Sequence, residues 1–151
     1  MNLNELVICE RRPFWSIRLR QLLSDSDTGV CETRSLDECQ ERLVQTRSCL
    51  AVLEVHDANL VAIWNWLRVQ TSDSPHPNFV VVGHRGLNQF EWSLREAGAL
   101  QAIFFPRKVA QLAPIMNRCR SRYESEDQSS HDQSFIANSD LDAIWSNLPW
   151  S

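Results

Sequence analysis

The amino-acid sequence predicts a doubly wound α/β domain, in which a five-stranded parallel sheet of strand order 2-1-3-4-5 carries helices on both faces. Short apolar runs alternate with longer segments whose apolar residues recur at helical spacing, which is typical of consecutive β/α units. Four of these runs are nearly continuous in apolar character, as expected for strands that helices cover on both sides. We expect this domain to occupy residues 1–123.

The candidate strands are the short apolar runs at residues 6–9, 30–33, 49–55, 79–82 and 102–105. In a sheet of this kind, ligands bind at the carboxyl ends of the strands, beside the point where the strand order reverses. The residues that directly follow strands one, three, four and five are therefore the candidates for a functional site.

The first three candidate helices cover residues 13–23, a segment that starts near residue 36, and residues 60–69. Pro13 suits a first helical turn, and Ser35 with Glu38 forms a capping-box pattern before the second helix. Trp66 is expected to point away from the core. The side chains expected to face the sheet are Phe14, Ile17, Leu22, Leu23, Leu36, Cys39, Leu43, Val44, Ile63, Trp64 and Leu67.

The last two candidate helices cover residues 88–97 and 108–123. Gly98 is a natural stop for the fourth helix, because glycine readily adopts the left-handed conformation that ends many helices. Pro114 should either bend the fifth helix or mark its true start. The apolar face of the fifth helix is Val109, Leu112, Ile115, Met116 and Cys119.

The composition changes after the fifth helix. Residues 124–134 contain no apolar side chain and are expected to form a flexible linker. In residues 135–151, Ser139 can cap a short helix whose apolar stripe has the i, i+3, i+4, i+7 spacing of a docking peptide. The alternative is that this segment folds back on its own domain or on a neighbour in a dimer. The stripe consists of Leu141, Ile144, Trp145 and Leu148.

Composition and charge disfavour several classes of function. The chain has 15 Lys and Arg against 19 Asp and Glu, a net charge of −4, so nothing attracts it generally to nucleic acid or anionic lipid. Its five cysteines form no CxxC pair and are expected to be reduced thiols in a cytoplasmic protein. No run approaches the ~20 apolar residues that cross a bilayer, and no secretory signal pattern is recognised. Two arginine groups are interpreted as solvated surface: Arg11, Arg12, Arg18 and Arg20, and Arg118, Arg120 and Arg122.

The segment LREAGALQAIFFP resembles the end of a response-regulator receiver domain, where a helix closes on Gly-Ala and the fifth strand ends in Lys-Pro. Gly98, Ala99 and Pro106 match that pattern, and Phe105 stands at the lysine position. The resemblance extends over about the first 120 residues. It implies a flavodoxin-like fold and a role in signalling.

The resemblance also assigns five positions of the phosphorylation site. Cys9 and Glu10 stand where the family has two acids that hold Mg²⁺, and Glu54 stands at the phosphoacceptor aspartate. Gly83 replaces a Thr or Ser, and Phe105 replaces the lysine. Phosphoryl transfer needs a metal ion and a cation to neutralise developing charge, so we expect no phosphorylation by the usual route, no enzymatic activity, and no metal or cofactor. Glu54 could imitate the phosphorylated state, but a solvated, inert carboxylate is the preferred interpretation.

The preferred function is a phosphorylation-independent signalling module, a pseudo-receiver that binds an unidentified protein partner or a second copy of itself. Receiver domains commonly dock through the face formed by helix four, strand five and helix five. Surface aromatic residues beside arginine are typical of binding hot spots. The candidates on this face are Phe90 or Trp92, with Arg95, Arg107 and Lys108.

The alternative function is binding of a metal or a small ligand at the strand ends. Cys9, Glu10, Glu54, His56 and His84 could lie near the same edge of the sheet, and Cys/His sets suit zinc. However, side chains alternate along a strand, so neighbouring residues point apart. A nucleophilic Cys9–His84 pair is weaker still, because no oxyanion-hole motif accompanies it.

Overall fold

The computed structural model describes residues 5–25, 28–46, 48–73 and 75–119. The predicted linker at residues 124–134 and the predicted docking segment at residues 135–151 lie outside the described residues. The docking stripe of Leu141, Ile144, Trp145 and Leu148 therefore stays a prediction.

The described residues form a five-stranded, all-parallel sheet of order β2-β1-β3-β4-β5, which confirms the predicted fold class and strand order. Each predicted apolar run lies within or overlaps one strand, because continuous apolar runs suit strands that are buried on both faces. The strands are β1 (Glu5–Cys9), β2 (Gly29–Thr33), β3 (Leu50–Val55), β4 (Asn78–Gly83) and β5 (Gln101–Ile103).

Helices cover both faces of the sheet, as predicted. Side chains of α1 and α5 pack with one set of alternating strand residues, and those of α2, α3 and α4 pack with the opposite set. Short 3₁₀ segments precede α4 and α5, at Arg85–Phe90 and Pro106–Gln111. The helices are α1 (Trp15–Leu22), α2 (Leu36–Thr46), α3 (Leu60–Gln70), α4 (Glu91–Glu96) and α5 (112–119).

Two helix-end predictions are confirmed. The Ser35 hydroxyl accepts the Glu38 N–H at 3.2 Å, as a helix cap does at the start of α2, and the Glu38 carboxylate reaches back to the N–H of Arg34, one residue before the cap, at 3.0 Å. Gly98 follows α4 with a φ of 127°. A Cβ there would also collide with the side chain of Thr71, so only glycine fits.

The ends of the last elements differ from the prediction. β5 ends at Ile103, two residues before the predicted end, because Ile103 forms the last pair with β4 and, among the described residues, no strand lies on the other side of β5. The fourth helical segment starts early, since the His84 imidazole accepts the Gly86 N–H and begins a 3₁₀ turn. Pro114 lies in the first turn of α5, so it marks the start of that helix rather than a bend.

Some predicted core positions were wrong. Phe14 and Ile17 are 40% and 49% exposed, because α1 begins at Trp15 and buries Trp15 and Leu19 instead. Val44 is 75% exposed at the far side of α2. Trp66 was expected at the surface, but it is half-buried and meets the Phe79 ring edge-on at 5.3 Å between ring centroids. Ile63, Leu67 and the half-buried Trp64 face the core as predicted.

Candidate functional site

A cavity of about 740 Å³ lies at the carboxyl ends of the strands, at the edge where the sequence predicts a site. The loops after β1, β3 and β4 and the segment after β5 form its walls. We call it the strand-end cavity; it is lined by Arg11, Arg12, Pro13, Phe14, Trp15, Glu54, Val55, His56, Gly83, His84, Arg85, Phe104, Phe105, Pro106 and Arg107.

The Glu10 side chain, at the second acid position, caps the start of α1. Its side chain is buried, and its carboxylate accepts the backbone N–H groups of Phe14, Trp15 and Ser16 at 2.9–3.4 Å. These are the N–H groups that have no partner inside the helix, and the helix dipole favours a negative charge beside them. Glu10 is therefore a buried helix cap.

Cys9, at the first acid position, lies among buried residues on the other face of the sheet, in contact with Cys39. The hydrogen bond with Cys39 lowers the pKa of the Cys9 thiol, and the same contact together with burial raises the pKa of Cys39. The two acid positions therefore point apart, as strand alternation requires.

These residues do not fit the Mg²⁺ site that the receiver resemblance implies. Mg²⁺ needs several hard oxygen ligands in octahedral geometry, whereas the Cys9 position supplies a buried thiol and the Glu10 carboxylate is taken up by backbone N–H groups. Within the described ranges, no three His, Cys, Asp or Glu side chains come together as a set of metal ligands.

Glu54, at the phosphoacceptor position, lines the strand-end cavity and is half-buried. Its carboxylate accepts the backbone N–H of Arg11 at 3.2 Å, a contact that links the end of β3 to the loop after β1. The carboxylate is therefore partly solvated, and its inertness stays a prediction. The Asn59 side chain shapes the loop that follows, donating to the Glu54 carbonyl at 3.0 Å and accepting the His56 N–H at 2.7 Å.

At Gly83, the Thr/Ser position, the structure leaves no space for any side chain, so more than a hydroxyl is missing. A Cβ on this residue would lie 2.9 Å from the Val55 carbonyl oxygen and 3.0 Å from Val55 Cγ1. Both distances are too short for ordinary contact, so β3 has closed over the space that a side chain would occupy. The sequence alone could show the missing hydroxyl but could not show this close approach.

Phe105, at the lysine position, lines the cavity and is half-buried. Two cations approach its ring: Arg85 Cζ lies 5.7 Å and Lys108 Nζ 5.0 Å from the ring centroid. Such distances are those of cation–π contacts. The loss of the family lysine therefore does not leave this edge of the sheet without positive charge.

The first of the two arginine groups that were interpreted as solvated surface behaves in two ways. Arg18 lies over the Phe14 ring, with its Cζ 3.8 Å from the centroid, and Arg20 pairs with Glu32 at 2.6 Å. Arg11 and Arg12 instead line the strand-end cavity. Arg85 and Phe14 also line the cavity and were not predicted there; their signal was their position in the segments that follow strands four and one.

His84 and His56 also line the cavity. His84 Nδ1 accepts the Gly86 N–H at 3.1 Å, and Nε2 lies 3.7 Å from a carboxylate oxygen of Asp57. His84 therefore caps a 3₁₀ turn. Cys9 lies among the buried residues on the α2 face of the sheet, so the structure does not bring it together with His84 in the cavity.

The predicted docking residues lie on α4 and on the segment after β5. Trp92 is 71% exposed, whereas Phe90 is half-buried, so Trp92 is the accessible aromatic side chain of the two. Arg95 is exposed and lies 3.9 Å from Glu91. Arg107 and Lys108 are exposed in the 3₁₀ segment Pro106–Gln111.

Across the part of the chain that the structure describes, no helix combines the length and the apolar character needed to cross a membrane.

Comparison with known proteins identifies the fold. No protein-family model matches the sequence, and no curated protein matches it. Among solved structures, a CheY-like protein (tadZ) from Pseudomonas aeruginosa PAO1 is similar at 21% identity and a TM-score of 0.65, covering 77% of this chain and 98% of that one. A response regulator from Thermotoga maritima is similar at 14% identity and a TM-score of 0.66, covering 78% of this chain and 97% of that one.

A third neighbour is a putative pilus assembly-related protein from Burkholderia pseudomallei K96243, at 13% identity and a TM-score of 0.55, covering 78% of this chain and 92% of that one. At such identities the likeness concerns the fold. The chain has the CheY-like receiver fold, as the resemblance of its Gly98-Ala99 turn and strand ends implied.

Proposed function

We propose that this chain is a phosphorylation-independent pseudo-receiver, a cytoplasmic signalling module that regulates a partner protein by binding it. The proposal rests on the residues at the phosphorylation positions and on the contacts that they make. Glu10 is committed to the start of α1, Gly83 is closed over by Val55, and Phe105 has no charge to pair with a phosphoryl group. Without a metal cradle, phosphoryl transfer lacks a main source of stabilisation.

The docking face, defined as Trp92, Arg95, Arg107 and Lys108, supports binding as the remaining role. The helix that holds the first two and the 3₁₀ segment that holds the last two both contact β5. Trp92 leaves a large aromatic surface in water, and aromatic and arginine side chains dominate the energetics of many interfaces. A protein partner or a second copy of this chain would bury that surface.

The fold neighbours are compatible with such a role, since one is described as a CheY-like protein and another as pilus assembly-related. The predicted docking segment at residues 135–151 would add a second contact to the same partner. Neither feature requires catalysis by this chain.

The test compares two exposed apolar side chains. The tagged full-length chain is used to capture partners from its native cell, as wild type, as Trp92→Asp and as Val44→Asp, which changes an equally exposed residue on α2. We expect the wild type and Val44→Asp to retain one partner and Trp92→Asp to lose it. Equal capture by all three variants would refute the docking face.

Independence from phosphorylation is tested separately. The chain is incubated with acetyl phosphate and Mg²⁺ and its intact mass is measured, with partner affinity recorded before and after. We expect an unchanged mass and an unchanged affinity. A stable phosphoryl adduct would overturn the pseudo-receiver assignment whatever the docking result.

A further inference from the structure

The strand-end cavity carries a charge opposite to that of the whole chain. Four arginines line it, and among its described lining residues Glu54 is the one carboxylate. Asp57 lies close by, at 3.7 Å from His84, and is largely solvated. The chain as a whole has a net charge of −4, so this local excess of positive charge is not a consequence of a basic composition.

None of these four arginines, Arg11, Arg12, Arg85 and Arg107, forms an ion pair with a carboxylate in the described part of the chain. By contrast, Arg20 and Arg34 both pair with Glu32. Bringing several unpaired guanidinium groups to one concave surface costs free energy through like-charge repulsion, and an anion bound between them would relieve it.

The cavity is larger and more apolar than a bare anion needs. Its volume of about 740 Å³ is within the range of sites that hold organic ligands, roughly 300–1,000 Å³. Phe14 and Phe105, together with two prolines, supply apolar and aromatic surface among the arginines. Guanidinium groups bind phosphate oxygens in a bidentate manner, and aromatic walls suit a planar ring.

We propose that the strand-end cavity binds an organic phosphate with a planar ring, of the nucleotide class, without transferring its phosphoryl group. The cavity arginines bind the anion directly, without a metal ion. The cavity shares Arg107 with the docking face, but Arg11, Arg12 and Arg85 lie outside that face.

The test is calorimetric titration of the full chain at low salt with ATP and GTP, beside adenosine and tripolyphosphate as the separate ring and phosphate parts. We expect one nucleotide to bind more tightly than either part. Its affinity should fall as NaCl is raised, because salt screens exposed charges. Equal binding of adenosine and ATP would overturn phosphate recognition. Equal binding of tripolyphosphate and ATP would overturn the nucleotide class, and no binding of any probe would overturn the site.

Three variants locate the binding. Arg12→Gln and Arg85→Gln each remove one cavity cation, and Arg42→Gln removes an exposed arginine on α2, outside the cavity. We expect a loss of about tenfold in affinity for each cavity variant, since a charge-assisted contact contributes about that much, and no change for Arg42→Gln. An equal loss in all three variants would mean nonspecific attraction and would overturn the proposal. Thermal melting confirms that each variant is folded.

Discussion

Two regions near the carboxyl edge of the sheet differ in whether their charged side chains have partners within the chain. At the start of α1 and along β2, carboxylates are satisfied within the chain: the Glu10 carboxylate accepts three N–H groups of α1, and Glu32 is held between Arg20 at 2.6 Å and Arg34 at 3.0 Å. In the strand-end cavity, whose arginines follow β1, β4 and β5, no arginine has a carboxylate partner in the described residues.

The difference separates charges that hold the fold from charges kept for another molecule. Partners within the chain lock side chains in place and contribute to the free energy of unfolding. An unpaired cation on a cavity wall contributes little to that free energy and remains able to bind an anion. Substitutions in the first region should therefore change stability, and substitutions in the second should change binding.

The largest expected effect is that of Glu10→Gln. Loss of the charge weakens three hydrogen bonds at a buried helix start and removes a favourable interaction with the helix dipole. We expect a loss of about 2–3 kcal/mol in the free energy of unfolding, measured by urea denaturation. Glu54→Gln is the matched control, because Glu54 accepts one exposed N–H, and we expect it to lose at most about 0.5 kcal/mol. Similar losses of unfolding free energy for both variants would contradict the distinction between the buried cap and the exposed contact.

The next largest effect is that of Gly83→Ser, which restores a hydroxyl at the Thr/Ser position. The new Cβ would lie 2.9 Å from the Val55 carbonyl oxygen, so the strand ends must shift. We expect a loss of about 2 kcal/mol by urea denaturation and still no adduct with acetyl phosphate. Gly29→Ser is the control, since nothing lies within 4 Å of a Cβ at that position. An unchanged unfolding midpoint for Gly83→Ser would show that the space is not closed.

Glu32→Gln should have a smaller effect that depends on pH. Arg20 and Arg34 lower the pKa of the Glu32 carboxyl to about 2. A lowered pKa in the folded state adds stability above the ordinary pKa of 4.5, and this is lost as pH falls through 2. Screening by solvent at the exposed arginines limits the effect to about 1 kcal/mol at pH 7. Urea denaturation of both proteins between pH 7 and pH 2 should show a difference that shrinks below pH 5. A difference independent of pH would contradict the ion-pair account.

The sheet could be predicted from sequence because its strands are nearly continuous apolar runs, and a parallel sheet buries such runs on both faces. Strand and helix ends were less predictable: β5 ends at Ile103, where its pairing with β4 ends and no second partner strand lies within the described residues, and local pattern does not show this. The surface role of Trp66 was wrong for a similar reason, since its contact with Phe79 comes from another part of the chain.

The candidate site was predicted as a set of positions but not as a set of contacts. Cys9 and Glu10 were placed correctly at the end of β1, yet the engagement of Glu10 with α1 depends on how the loop at Pro13 turns. Gly83 was read as a missing hydroxyl, whereas its role depends on the distance to Val55. The convergence of arginines from separate loops on one cavity is a tertiary property that sequence spacing does not carry.

The smallest expected effect on stability is that of Arg85→Gln. Arg85 is exposed and has no carboxylate partner in the described residues, and its removal relieves repulsion from the other cavity arginines. We expect the free energy of unfolding to stay within about 0.5 kcal/mol of the wild type, in urea at low salt. Arg20→Gln, which leaves Glu32 with one partner fewer, should lose about 1 kcal/mol under the same conditions. If Arg85→Gln lost as much as Arg20→Gln, the cavity arginines would be part of the scaffold, and the division between structural and binding charges would fail. If Arg85→Gln left the free energy of unfolding unchanged but lowered nucleotide affinity, Arg85 would be a binding charge and not a structural one.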